Sequence, residues 1–126
     1  MITVLVVDDN DLVRNLIEAI LSDAGCEVLT ASSGPGAVDI VSRNGDSIDC
    51  VIQDLSMPKM PGEQVISELN KLRPGLPVIV LSVDDAAYSA PRLAGLSIAA
   101  YVQKPFDSDV LVAKVRGVAL KHEVTK

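Results

Sequence analysis

The sequence has few aromatic residues and no long apolar run. Its 126 residues include one Phe, two Tyr and no Trp, so a core must be built from Val, Ile, Leu and Ala. No apolar run reaches the roughly 18 residues that a membrane-spanning helix requires. Met1 directly precedes a strand-like segment instead of the basic and apolar regions of a signal peptide. These absences predict a cytoplasmic chain with no membrane partner.

Cysteine is also scarce. Cys26 and Cys50 each lie at the start of an apolar run and do not form a Cys-x-x-Cys pair. We interpret them as two buried free thiols in a reducing compartment, with metal or redox chemistry as the alternative. The formal net charge is −6 at pH 7. An acidic surface repels phosphates, which argues against direct nucleic acid binding by this segment.

What the sequence does contain is a regular alternation of apolar runs and helix-period segments. The length is that of one domain, residues 1–126. Nearly continuous apolar runs are typical of strands covered on both faces. The predicted strands are Ile2–Val7, Glu27–Ala31, the run around Val51–Ile52, Val78–Leu81 and Ala99–Gln103. The predicted helices are Asp11–Ala24, Gly34–Asn44, Gly62–Leu72 and Asp107–His122.

One further helix is expected after Asp84 and Asp85, and Pro91 falls in its middle. A proline inside a helix costs about 3 kcal/mol. We therefore expect this helix to begin late, near Ser89 or Ala90, or to be broken into two pieces.

Five βα units with short loops predict an α/β fold. We expect a (βα)5 doubly wound, parallel, five-stranded sheet of the flavodoxin-like type with strand order 2-1-3-4-5. Sites in such sheets lie beyond the carboxyl ends of the strands, near the point where the order reverses. The strand ends are therefore where functional residues are expected.

Polar residues follow four of the predicted strands: Asp8 with Asp9, then Asp54, Ser82 and Lys104. Carboxylates packed together repel one another, and a hard divalent cation such as Mg²⁺ relieves that repulsion. A carboxylate can also attack a phosphoryl group to give an acyl phosphate. Mg²⁺, the Lys104 ammonium and the Ser82 hydroxyl with backbone N–H groups could then neutralise the phosphoryl oxygens.

Each residue alone has a simpler interpretation. Asp9 is also a good helix N-cap, and Asp54, Ser82 and Lys104 are each common as solvated residues at a strand end. Only their joint placement at four strand ends favours phosphoryl chemistry.

The sequence resembles the receiver domains of response regulators in two-component signalling systems over nearly its whole length. The matching segments are VLVVDDN, DLSMPKMPG, VIVLS and YVQKPF.

The resemblance implies a metal site. Asp54 would be the phosphoacceptor, and Asp9 and Asp54 would ligate Mg²⁺ together with the backbone carbonyl of Ser56. Asp8 would act largely through a bound water.

The resemblance also implies a switch. Ser82 would be the switch hydroxyl and Tyr101 the switch aromatic. Lys104 would contact the phosphoryl group, and a cis Lys104–Pro105 peptide would orient the Lys104 side chain. Phosphorylation would draw Ser82 inward, turn Tyr101 into the vacated space and change the face formed by helix 4, strand 5 and helix 5. The alternative for Tyr101 is a plain strand residue with its hydroxyl at the surface.

The implied partners are a histidine kinase or a histidine phosphotransfer protein, and an output domain or effector, with a homodimer through the switch face as a further option. Such a chain is not an enzyme in the usual sense, because it catalyses only its own phosphorylation and slow dephosphorylation. Met1 directly before the first strand favours a native N-terminus. We expect either a free-standing receiver or part of a longer regulator or hybrid kinase.

Three departures from the family pattern could affect kinetics. Pro61 replaces the usual Asp before Gly62, Val83 replaces the usual small residue after Ser82, and Pro91 interrupts helix 4. Val83 and Pro61 leave open a receiver-like binding module that no longer takes phosphate. A phosphatase with an Asp nucleophile is a third hypothesis, but it needs a carboxylate where Ser56 stands.

Overall fold

The computed structural model describes the backbone of residues 1–125 and the side chains of residues 1–122. Strands and helices alternate through this part of the chain. The strands are β1 (Thr3–Val7), β2 (Glu27–Ala31), β3 (Cys50–Asp54), β4 (Val78–Ser82) and β5 (Ala100–Gln103). The helices are α1 (Asp11–Asp23), α2 (Gly34–Asn44), α3 (Gly62–Leu72), α4 (Ala86–Leu93) and α5 (Ser108–Thr125), and a 3-10 turn at Gly45–Ser47 leads into β3.

The five strands form one parallel sheet. Their order is β2-β1-β3-β4-β5, and every neighbouring pair runs parallel. The predicted fold class and strand order are confirmed. β2 and β3 lie on opposite sides of β1, so the strand order reverses between β1 and β3. In sheets of this kind the site is expected at that reversal.

Two apolar layers cover the sheet. Successive strand residues point to opposite faces, so Leu5 and Val7 contribute to one layer while Val4 and Val6 contribute to the other. The first layer packs under α2, α3 and α4, and the second under α1 and α5. Burial on both faces explains why the strands are nearly continuous apolar runs.

Side chains at the carboxyl edge of the sheet start three of the helices. Asn10 caps α1 by accepting the Val13 N–H at 3.0 Å, and Ser33 caps α2 by accepting the Gly36 N–H at 3.1 Å. Asp85 caps α4 by accepting the Tyr88 N–H at 2.7 Å. Each cap satisfies an N–H group that has no partner within its helix.

The prediction for helix 4 was wrong. The helix does not begin near Ser89 or Ala90 and is not broken; α4 begins at Ala86 and contains Pro91 in its interior. The Asp85 cap fixes the start, and Pro91 lies near the end of an eight-residue helix. The proline therefore removes only the one backbone bond that its missing N–H would have made to the carbonyl of Ala87.

The remaining differences are small. Helix α5 runs three residues beyond the predicted His122, to Thr125. Cys26 and Cys50 are buried free thiols, as predicted. Burial, with the nearby charges of Asp49 and Cys26, raises the pKa of Cys50 to about 12. No helix within residues 1–125 is long and apolar enough to cross a membrane.

Candidate functional site

The carboxyl edge of the sheet brings the strand-end residues together. Asp8 follows β1, Asp54 is the last residue of β3, and Ser82 is the last residue of β4. Carboxylate oxygens of Asp8, Asp9 and Asp54 lie within 4.8 Å of one another. Asp8 and Asp54 are buried, whereas Asp9 is exposed. The acidic cluster therefore consists of two buried carboxylates and one that is exposed to solvent.

Lys104 supplies the positive charge of the site. It follows β5, and its Nζ lies 3.3 Å from Oδ1 of Asp54 and 3.5 Å from Oδ2 of Asp8. The ammonium thus contacts both buried carboxylates. The Lys104–Pro105 peptide is cis, as the resemblance implies.

Neighbouring groups shift the pKa of the Asp54 carboxyl in opposite directions. Burial raises the pKa of its carboxyl above the ordinary value, and the Asp8 charge raises it further. The Lys104 ammonium and the Ser56 N–H, which donates to Oδ1 at 3.3 Å, lower it. A positive ion beside this cluster would favour the ionised carboxylate that the proposed chemistry needs.

Backbone and side-chain hydrogen bonds fix the acidic cluster from the β1 side. The Asn10 N–H donates to Oδ1 of Asp8 at 2.9 Å, and Arg14 donates to the Asp8 backbone carbonyl at 2.8 Å. One oxygen of Asp8 therefore faces the backbone and the other faces Lys104.

These oxygens could hold a metal. Asp8, Asp9 and Asp54 together offer only hard oxygen donors, which suit Mg²⁺ rather than zinc. Ser56, predicted to add its carbonyl, is an exposed residue in the loop after β3. The individual ligand roles, including a water-mediated role for Asp8, stay predictions.

The two predicted switch residues lie on neighbouring strands. Ser82 is buried, and its Oγ accepts the Asp84 N–H at 3.1 Å. The hydroxyl of Tyr101 donates to the Asp84 carbonyl at 2.7 Å and lies 2.8 Å from Oγ of Ser89. The Tyr101 hydroxyl is thus held by the loop after β4 and by α4, and the roles of Ser82 and Tyr101 as a switch stay predictions.

Sequence reasoning missed two residues that support Asp54. Gln53 is fully buried, and its Nε2 donates to the Asp54 carbonyl at 2.9 Å and to Sδ of Met57 at 3.4 Å. A Cβ on Gly62 would lie 2.4 Å from the Asp54 carbonyl oxygen, so only glycine fits there. The polar Gln53 inside an apolar strand was the available signal; no signal in one sequence reveals the contact of Gly62.

It also missed Arg92, which ties α4 to the loop after Asp54. Arg92 Nη2 donates to the Leu55 carbonyl at 3.2 Å and pairs with Glu63 at 2.6 Å, while its Nε donates to Glu63 at 2.8 Å. Leu55 directly follows Asp54, so this bridge spans from the acidic cluster to α4. The long sequence separation between these residues hides the bridge from local pattern reading.

Comparison with known proteins agrees with this geometry. A family model described as the response regulator receiver domain matches residues 4–116. The chain belongs to this family, whose members are the receiver domains of two-component systems.

Solved receiver domains have the same fold. A response regulator receiver domain protein from Clostridium thermocellum superimposes with a TM-score of 0.90 at 29% identity, covering 100% of both chains. The chemotaxis protein CheY4 of Vibrio cholerae gives a TM-score of 0.86 at 26% identity, covering 94% of this chain and 98% of that one.

Among curated relatives, the probable transcriptional regulatory protein TcrX of Mycobacterium tuberculosis is 34% identical over 126 residues, covering 98% of this chain and 52% of the relative. The chain spans about half the length of such relatives. The similarity therefore establishes the receiver domain. It does not establish the activity of the full-length relatives.

The departures from the family pattern leave the clustered groups in place. Val83 has 60% of its surface exposed, and its carbonyl accepts Nε2 of Gln103 at 3.2 Å. Pro61 precedes α3 and its carbonyl accepts the Gln64 N–H at 3.0 Å. The receiver domain thus retains the acidic cluster and its lysine beside these substitutions.

Proposed function

We propose that this receiver domain accepts a phosphoryl group on Asp54, in a Mg²⁺-dependent reaction, from a phosphohistidine of a histidine kinase or a histidine phosphotransfer protein. The observation that carries the proposal is the contact of Lys104 with the two buried carboxylates of Asp54 and Asp8. Such a cluster would bring together a nucleophilic carboxylate, a place for a cation and a fixed positive charge.

In the proposed reaction an oxygen of Asp54 forms a bond to phosphorus while the bond from phosphorus to the histidine nitrogen breaks. The electron pair of that bond stays on the imidazole, and the product is an acyl phosphate on Asp54. Lys104 and the Ser82 hydroxyl lie on adjacent strand ends, where they could receive the negative charge of the phosphoryl oxygens.

Asp8, Asp9 and Asp54, with the Ser56 carbonyl, would hold the magnesium ion. When bound, it would neutralise the cluster and stabilise charge on the transferred group. The fit rests on the donor set, three carboxylates within 4.8 Å of one another, and on the exposure of Asp9, which leaves the cluster open to a hydrated cation.

The proposed output is a population shift of the face formed by α4, β5 and α5, through Ser82 and Tyr101. Longer relatives are named transcriptional regulators, so we propose that the shifted face controls an output domain or an effector, with self-association through that face as one outcome. We place the reaction in the cytoplasm and limit catalysis to phosphorylation and slow dephosphorylation of the chain itself.

The test is intact mass after incubation with acetyl phosphate and with phosphoramidate, a small analogue of phosphohistidine, with and without Mg²⁺. One Mg²⁺-dependent phosphoryl adduct on the wild type, absent from Asp54→Asn, is the expected result. An adduct of equal yield on Asp54→Asn would refute the assignment of Asp54.

Two further outcomes separate the rival functions. Continuous release of inorganic phosphate from small phosphate esters would indicate a phosphatase. No adduct, no Mg²⁺ binding and no response to beryllofluoride would indicate a module that signals by binding alone.

A further inference from the structure

The hydroxyl of Tyr101 lies within hydrogen-bond distance of three oxygens: the carbonyls of Asp84 and Asp85, at 2.7 and 3.3 Å, and Oγ of Ser89. Because the two carbonyls can only accept, counting donors fixes the direction of the bond to Ser89. The Asp84 carbonyl, 2.7 Å away, can only accept, so the single Tyr101 hydroxyl proton points to it. The Ser89 hydroxyl, 2.8 Å away, must then donate to the Tyr101 oxygen. Tyr101 is therefore both a donor to the loop after β4 and an acceptor from α4.

Ser89 is an unusual residue for its position. It lies in α4 with none of its surface exposed, and a buried hydroxyl without a partner is destabilising. A helical serine commonly bonds the carbonyl four residues earlier. Here that carbonyl, of Asp85, accepts the Ser89 backbone N–H at 3.2 Å, while Oγ lies beside Tyr101.

The contact extends a chain of hydrogen bonds that starts at Ser82, the last residue of β4. Ser82 accepts the Asp84 N–H at 3.1 Å, the Asp84 carbonyl accepts from Tyr101, and Tyr101 accepts from Ser89. The half-buried ring of Tyr101 packs against the apolar layer under α2, α3 and α4. The ring is therefore held against the core on one side, while its hydroxyl is bonded on the other.

We propose that Ser89 is a positioning residue for Tyr101: its hydroxyl holds the ring inward before phosphorylation and makes α4 part of the switch. The inference rests on the proposed function, because it assigns a partner to the proposed switch residue. Its consequence is a receiver whose Tyr101 is preset toward the core, so phosphorylation moves the ring population less than it would without Ser89.

The sequence offers a clean reporter. Its only tyrosines are Tyr88 and Tyr101, and it has no Trp. The Tyr88 side chain is 72% exposed, so Tyr88→Phe should preserve the fold. In that background, fluorotyrosine incorporation labels Tyr101 alone, so the ¹⁹F spectrum reports the environment of the Tyr101 ring directly.

The experiment compares the reporter protein with its Ser89→Ala variant, each alone and with beryllofluoride and Mg²⁺. Without beryllofluoride, Ser89→Ala should raise the ratio of solvent-facing to inward ring by about fivefold, the effect of one lost hydrogen bond. With beryllofluoride the two proteins should converge, so the change on activation is larger in the variant. An unchanged ratio in Ser89→Ala would overturn the proposal.

Two controls separate positioning from general stability. Ser42→Ala removes another helical serine hydroxyl, one that bonds the Val38 carbonyl at 2.9 Å in α2, and should leave the resonance unchanged. Ser89→Thr keeps the hydroxyl and should restore the inward population. A shift in Ser42→Ala equal to that in Ser89→Ala would also refute the proposal.

Intact mass of the same proteins distinguishes the two possible failures. If beryllofluoride and acetyl phosphate act on Asp54 but Ser89→Ala does not move the ring, only the role of Ser89 is wrong. If Asp54 takes no phosphoryl group while Ser89→Ala still frees the ring, the contact is real and the proposed function is wrong.

Discussion

The Nζ of Lys104 lies 3.3 Å from Oδ1 of Asp54. The same ammonium lies 3.5 Å from Oδ2 of Asp8, and Asp9 completes the acidic cluster. When all are ionised, three carboxylates and one ammonium leave two negative charges uncompensated, which is the charge that one divalent cation balances. Lys104 therefore neutralises one of the carboxylates, and a divalent cation would neutralise the other two.

Lys104→Met should slow phosphoryl uptake without abolishing Mg²⁺ binding. The substitution keeps an extended side chain and removes the charge that would meet the phosphoryl oxygens. The rate of adduct formation should fall by about 10² to 10³, the range typical of losing one charge-stabilising group. Mg²⁺ should bind at least as tightly, because a competing positive charge is gone; titration followed by thermal unfolding measures this. Wild-type adduct rates in Lys104→Met would remove the lysine from the mechanism.

Mg²⁺ should stabilise the wild type far more than Asp54→Asn. A ligand at about 100 times its Kd raises the free energy of unfolding by about 2.7 kcal/mol. Without Mg²⁺, Asp54→Asn should itself be more stable at neutral pH, because burial and Asp8 raise the pKa of Asp54 in the folded state and so penalise its charged form. Thermal melts of both proteins with and without Mg²⁺ make the comparison. Equal Mg²⁺ shifts would place the ion away from Asp54.

Gly62→Ala should displace the backbone of Asp54. The added Cβ would lie 2.4 Å from the Asp54 carbonyl oxygen and 2.5 Å from the Leu55 Cα, and neither is a flexible side-chain end. We expect a loss of about 1 to 3 kcal/mol in the free energy of unfolding and slower phosphorylation. Gly117→Ala is the matched control: it lies within α5 with no atom within 4 Å of an added Cβ, and should gain up to about 1 kcal/mol. Denaturant unfolding of both variants tests the contrast, and equal effects would contradict it.

The bridge between Glu63 and Arg92 should weaken in acid. The hydrogen bond from Arg92 holds the pKa of Glu63 below its ordinary value of 4.5. A carboxyl with a depressed pKa contributes stability that is complete above the unfolded-state pKa and is lost as pH falls through the folded-state pKa. The pair should therefore contribute about 0.2 to 1 kcal/mol at pH 7, as partly exposed pairs do, and nothing once the pH is well below the folded-state pKa of Glu63.

A double-mutant cycle of Glu63→Gln and Arg92→Gln, measured at pH 7 and in acid, tests this bridge. Coupling that persists unchanged in acid would show that the contact does not depend on the Glu63 charge. Arg92→Gln alone should also loosen the Leu55 carbonyl, which hydrogen exchange in the loop after β3 can detect.

The sequence was sufficient to predict the sheet order and the edge on which the strand-end residues meet. Apolar runs such as that of β4 show burial on both faces, and parallel βα connections admit few topologies. Asp8, Asp54, Ser82 and Lys104 could be found because each lies at or just after the end of such a strand.

What could not be predicted depends on contacts between distant residues. Pro91 suggested a late or broken helix, since propensity does not include the Asp85 cap or the packing of α4. The bonds from Arg92 to Leu55 and from Ser89 to Tyr101 join residues far apart in sequence. No local sequence pattern indicates that these residues are in contact.

Locating the phosphoryl group decides whether Asp54 is the residue that accepts it. Borohydride reduces an acyl phosphate to an alcohol, which would convert a phosphorylated Asp54 to homoserine. Peptide mapping after acetyl phosphate, Mg²⁺ and borohydride should find homoserine at position 54 and aspartate at positions 8 and 9. Homoserine at another position, or a stable adduct that leaves position 54 as aspartate, would show that Asp54 is not the acceptor.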